Sequence, residues 1–482
     1  MLALDLATAL PETVLAVFLL AAFAFAVLTR GDTLTGPIIG ATTGVMGALG
    51  LWIAFLPAAN RSAFGGMLVD DAFARYTKVL ILWTAGVVLP MAQAHLRRTG
   101  QHRYPFPILA GFAVLAMLLT VSAGDLVALF LAVASLAAAL TGLATLGRRT
   151  PRATALTLRF TLGLMAGLGL IAFGIAILVA ATGATGYSAL RATLAVTDGG
   201  LAATVGLVLL MAGLAVFAGA APFHIWCGDM QAGAPGSLAI VLAALPRVTA
   251  LAALARLGVE TQGPAQGDGP LILVLIGGGS LLWAAFAAAG EPHLRRLIAH
   301  AAVFGTGLAV LGMAAALATG TAAGMQAALL VLTMQAITLT AALALLTGLE
   351  QDGRPVTAVV QLRGFGQADP LRAAALSVLI LNLAGLPPLA GVVGVGFTLG
   401  ALSAAWPWAA AVGAAVLVPF AAGMLRVIFA LYTPTDADPP DSTMPALSYA
   451  ALLGGAAVML LGLVTTWGTV ERAARAAQAL WQ

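Results

Sequence analysis

The chain has 482 residues, of which 61% are apolar and only 8% are charged, and its mean hydropathy is +1.04. Its 18 acidic and 22 basic side chains are too few to cover a water-soluble globule of this length. The composition therefore excludes a soluble enzyme and a nucleic-acid-binding protein with a basic face. The single cysteine, Cys227, also excludes an internal disulfide framework and a cysteine-ligated cluster.

Fourteen apolar segments follow one another along the sequence, each about long enough to cross a bilayer as a helix. They comprise about 11–29, 35–57, 72–95, 105–121, 124–146, 155–182, 200–223, 236–257, 270–289, 293–319, 323–348, 371–398, 407–432 and 444–467. They lack the alternation of apolar and polar residues typical of membrane β-strands, so their backbone hydrogen bonds must close within helices. The sequence predicts an all-α polytopic membrane protein that forms a single membrane domain.

Arginines are distributed unevenly between the two sides that these segments define. One side receives Arg30, Arg97, Arg98, Arg103, Arg148, Arg149, Arg152, Arg295, Arg296, Arg354, Arg363 and Arg372. The other side receives Arg61, Arg191, Arg256, Arg472 and Arg475, together with Arg75 and Lys78 at the start of the third segment. Because cytoplasmic loops are enriched in Lys and Arg, the first side is predicted to be cytoplasmic and both termini to lie outside. Asp5 and Glu12 flank the first segment in place of a basic region, so this helix is expected to remain rather than to be cleaved.

Proline interrupts two of the predicted helices, the seventh at Pro222 and the twelfth at Pro387 and Pro388. Proline removes an amide donor and frees a carbonyl, so such breaks need protein or water around them at membrane depth. The breaks are five segments apart, which predicts two inverted five-helix repeats at about 105–257 and 270–432, with helices 1–3 and 14 peripheral. Broken helices in matching places indicate an ion pathway, although kinks that only shape packing remain the alternative.

Nine short motifs give the chain its resemblance to a known family. They are Leu10–Glu12, Asp71–Leu82, Val121–Leu129, Pro222–Trp226, Gly233–Pro235, Pro246–Arg247, Leu294–Ala299, Leu362–Gly364 and Leu383–Gly391. With them the chain resembles the antiporter-like membrane subunits of respiratory complex I, the proton-translocating NADH:quinone oxidoreductase. Phe223-His224 and the Gly-Ala-Pro element resemble subunit N rather than subunits M and L or the Mrp antiporter subunits.

This resemblance implies a subunit of the membrane arm, in the bacterial inner membrane, between subunits M and K and in contact with lipid. The chain itself is expected to hold no cofactor. NADH, FMN, iron–sulfur clusters and quinone are expected in other subunits, and no nucleic acid is expected as a partner.

The family's proton relay is thought to use a glutamate in helix 5 and lysines in helices 7, 8 and 12, because a buried acid or amine can take up and release protons. The flanking motifs match the helix 5, 7 and 12 positions to Ala134, Phe217 and Val395, which are all apolar. Arg247 matches the helix 8 lysine and carries a fixed charge, since arginine does not deprotonate in proteins. The helix 10 histidine falls near Phe304 and Gly305. The resemblance thus implies a dismantled relay.

Two side chains near the first break remain candidates for the pathway. His224 lies at the break, where it either satisfies a backbone group or titrates. Arg247 lies deeper and is expected to face water or carbonyl groups beside the break, with either an electrostatic or a structural role.

Four charged side chains near the helix ends are further candidates for the pathway or for an electrostatic role, although we interpret them mainly as structural: Arg159, Asp229, Arg295 and His300. Arg159, Arg295, Arg296 and His300 are expected to reach the cytoplasmic interface. Asp229 either orients His224 or, as we favour, caps the next helix segment.

Two further acids lie at the starts of helices. Asp71 and Lys78 are expected to form a salt bridge on one helical face. Asp125 is expected to stabilise a helix N-terminus.

Three functional hypotheses follow. The first is a subunit N homologue whose own channel is impaired and which supports assembly or coupling. The second is an active proton translocator that uses water wires with His224 and Arg247. The third is a membrane subunit of a related hydrogenase or an Mrp-type antiporter complex.

Overall fold

The computed structural model describes residues 2–29, 35–56, 60–98, 100, 104–146, 150–197, 200–262, 269–351, 354–442 and 444–481. Four of the predicted cytoplasmic arginines, Arg30, Arg103, Arg148 and Arg149, lie outside this part of the chain. The described residues form helices joined by short turns and two small β-sheets.

The helices run in chain order from α1 to α19. They are α1 Leu2–Thr8, α2 Leu10–Thr29, α3 Thr35–Phe55, α4 Ala72–Arg98, α5 Pro105–Ser122, α6 Leu126–Leu146, α7 Pro151–Thr182, α8 Tyr187–Thr197, α9 Gly200–Ala218, α10 Ile225–Gly233, α11 Gly236–Gln262, α12 Gly269–Gly290, α13 Leu294–Thr319, α14 Ala322–Leu346, α15 Phe365–Ala368, α16 Pro370–Leu383, α17 Gly391–Ala405, α18 Pro407–Tyr432 and α19 Ala446–Ala479. The strands are β1 Arg61–Ala63, β2 Leu68–Asp70, β3 Leu349–Gln351, β4 Arg354–Pro355 and β5 Asp441–Ser442.

Within the described residues, 12 helices are long and apolar enough to cross a membrane. The broken pair α16 and α17 and the apolar first part of α19, Ala446–Gly462, supply two more crossings. The seventh predicted segment is likewise divided, into α9 and α10. The predicted all-α membrane fold and its two broken helices are therefore confirmed.

Several connections hold more structure than their polar composition indicated. Helix α8 occupies the predicted loop 183–199, and β1 and β2 pair antiparallel before α4. Strand β3 pairs with both β4 and β5. These strands are only two or three residues long, so they leave no periodic signal in the sequence. Helix α19 continues to Ala479, whereas the sequence placed the end of helix 14 at about 467.

The two ends of the helix bundle differ in charge. At the end that we call the basic end, α4 finishes while α7 and α13 begin, and the amide of Gly236 donates to Nε2 of His95 at 3.1 Å. At the opposite end, α4 and α6 begin and α11 finishes, with Asp71, Asp125 and Glu260 close to these termini.

Glycine pairs allow two sets of helices to cross closely. A β-carbon on Gly174 of α7 would lie 2.6 Å from the carbonyl oxygen of Gly206 in α9. A β-carbon on Gly307 of α13 would lie 2.8 Å from the carbonyl oxygen of Gly277 in α12. Small residues at such crossings increase van der Waals contact between backbones, which is what holds helices together in lipid.

Asp125 caps α6, as the sequence predicts. Its Oδ1 accepts hydrogen bonds from the amides of Val127 at 2.7 Å and Ala128 at 3.4 Å. We expect Asp125→Ala to lower the stability of the subunit by about 1 kcal/mol, because two helix amides lose their acceptor. Thermal unfolding in detergent measures this loss. Asp125→Asn retains an acceptor oxygen and should lie close to the native protein, so an equal loss in both variants would contradict the capping role.

Candidate functional site

The first break separates α9 from α10. Gly219 has a φ of +66°, a conformation that favours glycine, and the Ala221–Pro222 peptide bond is cis. The amide of Ala221 donates to Oγ of Ser280 at 2.8 Å, and Nε1 of Trp226 donates to the carbonyl oxygen of Val216 at 2.9 Å. Side chains thus satisfy backbone groups that the interrupted helix leaves free.

The second break separates α16 from α17 and has the same local pattern. Gly385 has a φ of +69° and lies three residues before Pro388, the second residue of the cis Pro387–Pro388 bond. Gly219 likewise lies three residues before Pro222. Here Asn382 closes the break, because its Oδ1 accepts from the amide of Gly391 at 2.7 Å and its Nδ2 donates to Oγ1 of Thr338 at 2.9 Å. The two halves therefore break their helices in matching geometry.

Arg247 of α11 lies beside the first break, as the sequence predicts. It is 4% exposed, and Nη1 donates to the carbonyl oxygen of Ala243 at 2.6 Å. Its Nε and Nη2 are buried without an oxygen partner. A β-carbon on Gly219 would lie 3.6 Å from both nitrogens and would collide with Sγ of Cys227, so the guanidinium faces the break. A cation at the C-terminal end of α9 is favourable for the helix dipole.

His224 is half-buried at the start of α10. Its ring lies 4.8 Å from the ring of Trp283 in α12, centroid to centroid. Its Nδ1 is buried without a hydrogen-bond partner, so this nitrogen does not satisfy a backbone group. His224 and Arg247 thus both bring unpaired nitrogen atoms to the same break.

The three apolar positions matched to relay residues have different surroundings. Phe217 is 1% exposed and packs against Gly167, where a β-carbon would lie 3.2 Å from its ring. Val395 is 7% exposed and packs against Gly385 of the second break, where a β-carbon would lie 2.9 Å from its Cγ2. Ala134 is half-buried on α6. Near the helix 10 position, Phe304 stacks on Phe420 with ring centroids 3.8 Å apart.

Asp229 does not cap a helix, which corrects the sequence interpretation. It lies inside α10, and its Oδ1 accepts from Nη2 of Arg296 at 2.9 Å. Arg159 lies 4.0 Å from its other oxygen, with 75% of the arginine side chain exposed. Asp229 therefore joins α10 to α13 at the basic end. Arg159 is exposed there.

The start of α13 holds the remaining predicted residues at the basic end. Nη1 of Arg295 donates to the carbonyl oxygen of Ala234 at 3.4 Å, and Nε2 of His300 lies 3.5 Å from Glu291. In the turn before α13, burial and the neighbouring cation Arg296 lower the pKa of His293 below its ordinary value.

Lys78 pairs with a partner that the sequence interpretation missed. Its Nζ lies 2.7 Å from Oε1 of Glu12 in α2, and both side chains are at most 4% exposed. Oγ of Ser122 donates to the same carboxylate oxygen at 3.2 Å. The predicted Asp71–Lys78 salt bridge is wrong, because Asp71 precedes α4 and turns towards α11.

Asp71 instead belongs to a triad with Arg256 and Glu260, in which the arginine is buried and Glu260 is partly exposed. Nη1 of Arg256 lies 2.8 Å from Asp71 and 2.6 Å from Glu260, and its Nη2 donates to Asp71 at 2.9 Å. The arginine side chain is 1% exposed and also lies over the ring of Phe73 at 5.3 Å. Burial alone would raise the pKa of Asp71, but Arg256 outweighs it and holds this pKa below its ordinary value. The sequence signal for the triad was the i, i+4 spacing of Arg256 and Glu260 near the end of an apolar helix.

Together, the fold and these sites define a polytopic helical subunit of the antiporter-like class. A family model described as NADH:quinone oxidoreductase/Mrp antiporter, TM, matches residues 123–420. NADH-quinone oxidoreductase subunit N of Rhodobacter capsulatus is 34% identical over 481 residues, which cover 98% of this chain and 97% of that protein. Subunit N of Jannaschia sp. is 32% identical over 96% of both chains. The chain belongs to this NADH:quinone oxidoreductase/Mrp antiporter family, and within it to the subunit N group of complex I.

Solved structures show the same fold. A chain of respiratory complex I from Thermus thermophilus superposes with a TM-score of 0.80 at 24% identity, covering 95% of this chain and 98% of that chain. A chain of the Mrp complex from Dietzia sp. gives a TM-score of 0.82 at 20% identity, covering 99% and 98%. The antiporter-like fold therefore occurs both in respiratory complex I and in the Mrp complex.

Proposed function

We propose that this subunit works in the membrane arm of complex I while its own central proton route is closed, so that it supports assembly or coupling. The observation that carries the proposal is the packing of Phe217 and Val395, two buried apolar side chains beside the helix breaks. A chain of water molecules past such side chains would lose hydrogen-bond partners. Arg247 supplies a fixed charge and no exchangeable proton.

The rest of the proposed setting comes from the family. We place repeat 1 at about 105–257 and repeat 2 at about 270–432, and we expect subunits M and K as neighbours along with membrane lipids. NADH, FMN, iron–sulfur clusters and quinone would be held by other subunits. The basic end would face the cytoplasm, because arginines are concentrated at this end. Both termini would lie on the other side of the inner membrane.

An active route through His224 and Arg247 is the second candidate function. It is favoured by the unpaired nitrogen atoms of both side chains at the first break. Membership of a hydrogenase or an Mrp-type complex is less well supported, because the relatives with 32–34% identity over nearly the whole chain are subunits N.

Restoring the relay residues separates the first two candidates. We expect Ala134→Glu, Phe217→Lys and Val395→Lys, combined in the assembled complex, to raise the number of protons translocated per NADH oxidised. The physical reason is that the acid and the amines supply exchangeable protons where apolar groups stand now. Proton uptake into liposomes, divided by NADH oxidation in the same sample, measures this ratio.

Phe217→Leu is the matched control, because it removes packing volume without adding a proton carrier. A ratio that stays at the native value in the triple variant would argue against a closed route. If Arg247→Ala then abolished proton translocation while assembly stayed normal, the second candidate would take its place.

A further inference from the structure

Arg159 of α7 is a cation on the outer surface of a membrane-spanning helix. Its side chain is 75% exposed, and two apolar residues, Leu158 beside it and Ile225 at the start of α10, are 58% and 78% exposed. Helices α7 and α10 are adjacent here, because the ring of Phe160 lies 5.2 Å from the ring of Trp226, centroid to centroid. Arg159 therefore projects from an apolar surface that these two helices share.

The position of Arg159 along α7 places it at the level of the lipid phosphates. Residues 160–182, which complete this helix, contain no charged side chain. At 1.5 Å per residue they span about 35 Å, and the hydrocarbon core of a bilayer is about 30 Å thick. This part of α7 therefore crosses the core by itself, and Arg159 lies at the boundary between the core and the headgroups at the basic end.

Asp229 of α10 is shared between two arginines. Its Oδ1 accepts a hydrogen bond from Nη2 of Arg296 at 2.9 Å, whereas its Oδ2 lies 4.0 Å from Nη1 of Arg159. A distance of 4.0 Å is too long for a hydrogen bond, so Asp229 leaves the donors of Arg159 available to another anion. A guanidinium at the edge of the hydrocarbon core is costly unless an anion or water is close to it.

The described residues around Asp229 carry an excess of positive charge. Arg152 lies two turns before Arg159 on the same exposed face of α7, about 10 Å farther from the hydrocarbon core. Arg295 and Glu291, at the start of α13 and just before it, add one charge of each sign. Three arginines thus remain for one aspartate. Guanidinium groups bind phosphate oxygens through paired hydrogen bonds, so this cluster is complementary to a phosphate group.

The charges occupy one end of an otherwise apolar face. Beyond Arg159, the exposed positions on the same side of α7 are Leu162, Ala166, Gly169 and Phe173. This stretch is about 21 Å long, which is enough to cover an acyl chain that reaches the middle of the bilayer. An anionic phospholipid has the same arrangement of a charged headgroup and apolar chains. An acidic segment of another protein in the aqueous phase would leave the apolar stretch uncovered.

We propose that Arg152, Arg159 and Arg296 bind the headgroup of an anionic phospholipid in the leaflet at the basic end. The phosphate accepts hydrogen bonds from Arg159 at the edge of the core, and Arg152 lies where the outer part of the headgroup is located. The acyl chains lie along the exposed face of α7 and against Ile225 of α10. The inference goes beyond the proposed function and does not depend on whether the central route is closed.

The test measures contact between α7 and one lipid. The assembled complex is placed in phosphatidylcholine vesicles that contain a small share of phosphatidylglycerol with a photoactivatable acyl chain, and mass spectrometry locates the labelled peptides. We expect labelling of α7 in the native complex. Arg152→Gln combined with Arg159→Gln should lower this labelling about 30-fold, because each arginine near a membrane surface strengthens the binding of anionic lipids by about fivefold. Asp229 keeps Arg296 as its partner in this variant.

The control removes the same number of arginines elsewhere. Arg472→Gln combined with Arg475→Gln changes two exposed side chains of α19 and should leave the labelling of α7 at the native level. Equal labelling of α7 in the two double variants would overturn the proposal.

A second measurement uses the native complex and covers the case in which the α7 variant fails to assemble. Unlabelled phosphatidylglycerol should displace the probe from α7, whereas the same amount of zwitterionic phosphatidylethanolamine should not. Equal displacement by both lipids would show ordinary lipid contact, and no labelling of α7 would show that another subunit covers this face. Either result would overturn the proposal. The proposed function is tested by proton translocation per NADH oxidised, so the two failures are distinguishable.

Discussion

Replacing Arg256 by methionine should prevent stable assembly of this subunit. The substitution leaves the buried Asp71 without its cation, and removal of one partner from a buried ion pair costs about 3–5 kcal/mol. It also leaves Glu260, whose side chain is 25% exposed, without this partner. The i, i+4 pair of Arg475 and Glu471 is the matched control, because these side chains are 74% and 55% exposed. Arg475→Met should cost at most about 1 kcal/mol. The amount of assembled complex on native gels and thermal unfolding in detergent check both expectations.

The triad also makes the stability of the subunit depend on pH. The pKa of Asp71 in the folded protein is held below its ordinary value of 3.8. The stabilisation that ionised Asp71 contributes is therefore fully present above pH 3.8 and is lost as the pH falls through the lowered pKa of the folded protein. We expect the native subunit to lose stability on strong acidification and Asp71→Asn to lack this part of the loss. Identical acid profiles for the two proteins would contradict the role given to Arg256.

Gly277→Leu is the second change with a large expected effect. A β-carbon at this position would lie 3.0 Å from the carbonyl oxygen of Gly307 and 2.9 Å from Cγ of Leu311, so a leucine would force α12 away from α13. Overpacking of this kind costs typically 1–3 kcal/mol, and we expect about 3 kcal/mol because part of the obstacle is backbone. Reduced thermal stability and reduced assembly would show the effect.

The neighbouring glycine provides the control. Gly278 follows Gly277 on the same helix and within the same apolar stretch of sequence. A β-carbon on Gly278 would meet no atom within 4 Å. Gly278→Leu should therefore leave thermal stability close to native. If both leucine variants were equally unstable, the crossing with α13 would not explain the loss.

The crossings and the breaks were predictable from sequence because their causes are local. About twenty apolar residues in a row have few alternatives to a membrane helix, and proline removes an amide wherever it stands. The cap formed by Asp125 was predictable for the same reason, since its partners Val127 and Ala128 follow within three residues.

The pairing of charges was not predictable, because it depends on contacts between distant helices. The sequence spacing predicted a salt bridge between Lys78 and Asp71. In the structure, Lys78 pairs with Glu12 of α2 and Asp71 pairs with Arg256 of α11. Asp229 looked like a cap because it follows a break, yet α10 already begins at Ile225 and turns this acid towards Arg296. Charged side chains in a low-dielectric interior form ion pairs with the oppositely charged groups that the packing of the helices brings close to them.

The first break is held mainly by the other half of the molecule. Ser280 of α12 accepts the amide of Ala221, Trp283 of α12 lies against the ring of His224, and Oγ1 of Thr306 in α13 lies 3.4 Å from the carbonyl oxygen of Ala218. A sideways displacement of α12 would therefore pull directly on the peptide that joins α9 to α10. A displacement of α12 would reach the interrupted helix through the hydroxyl of Ser280 and the ring of Trp283 together.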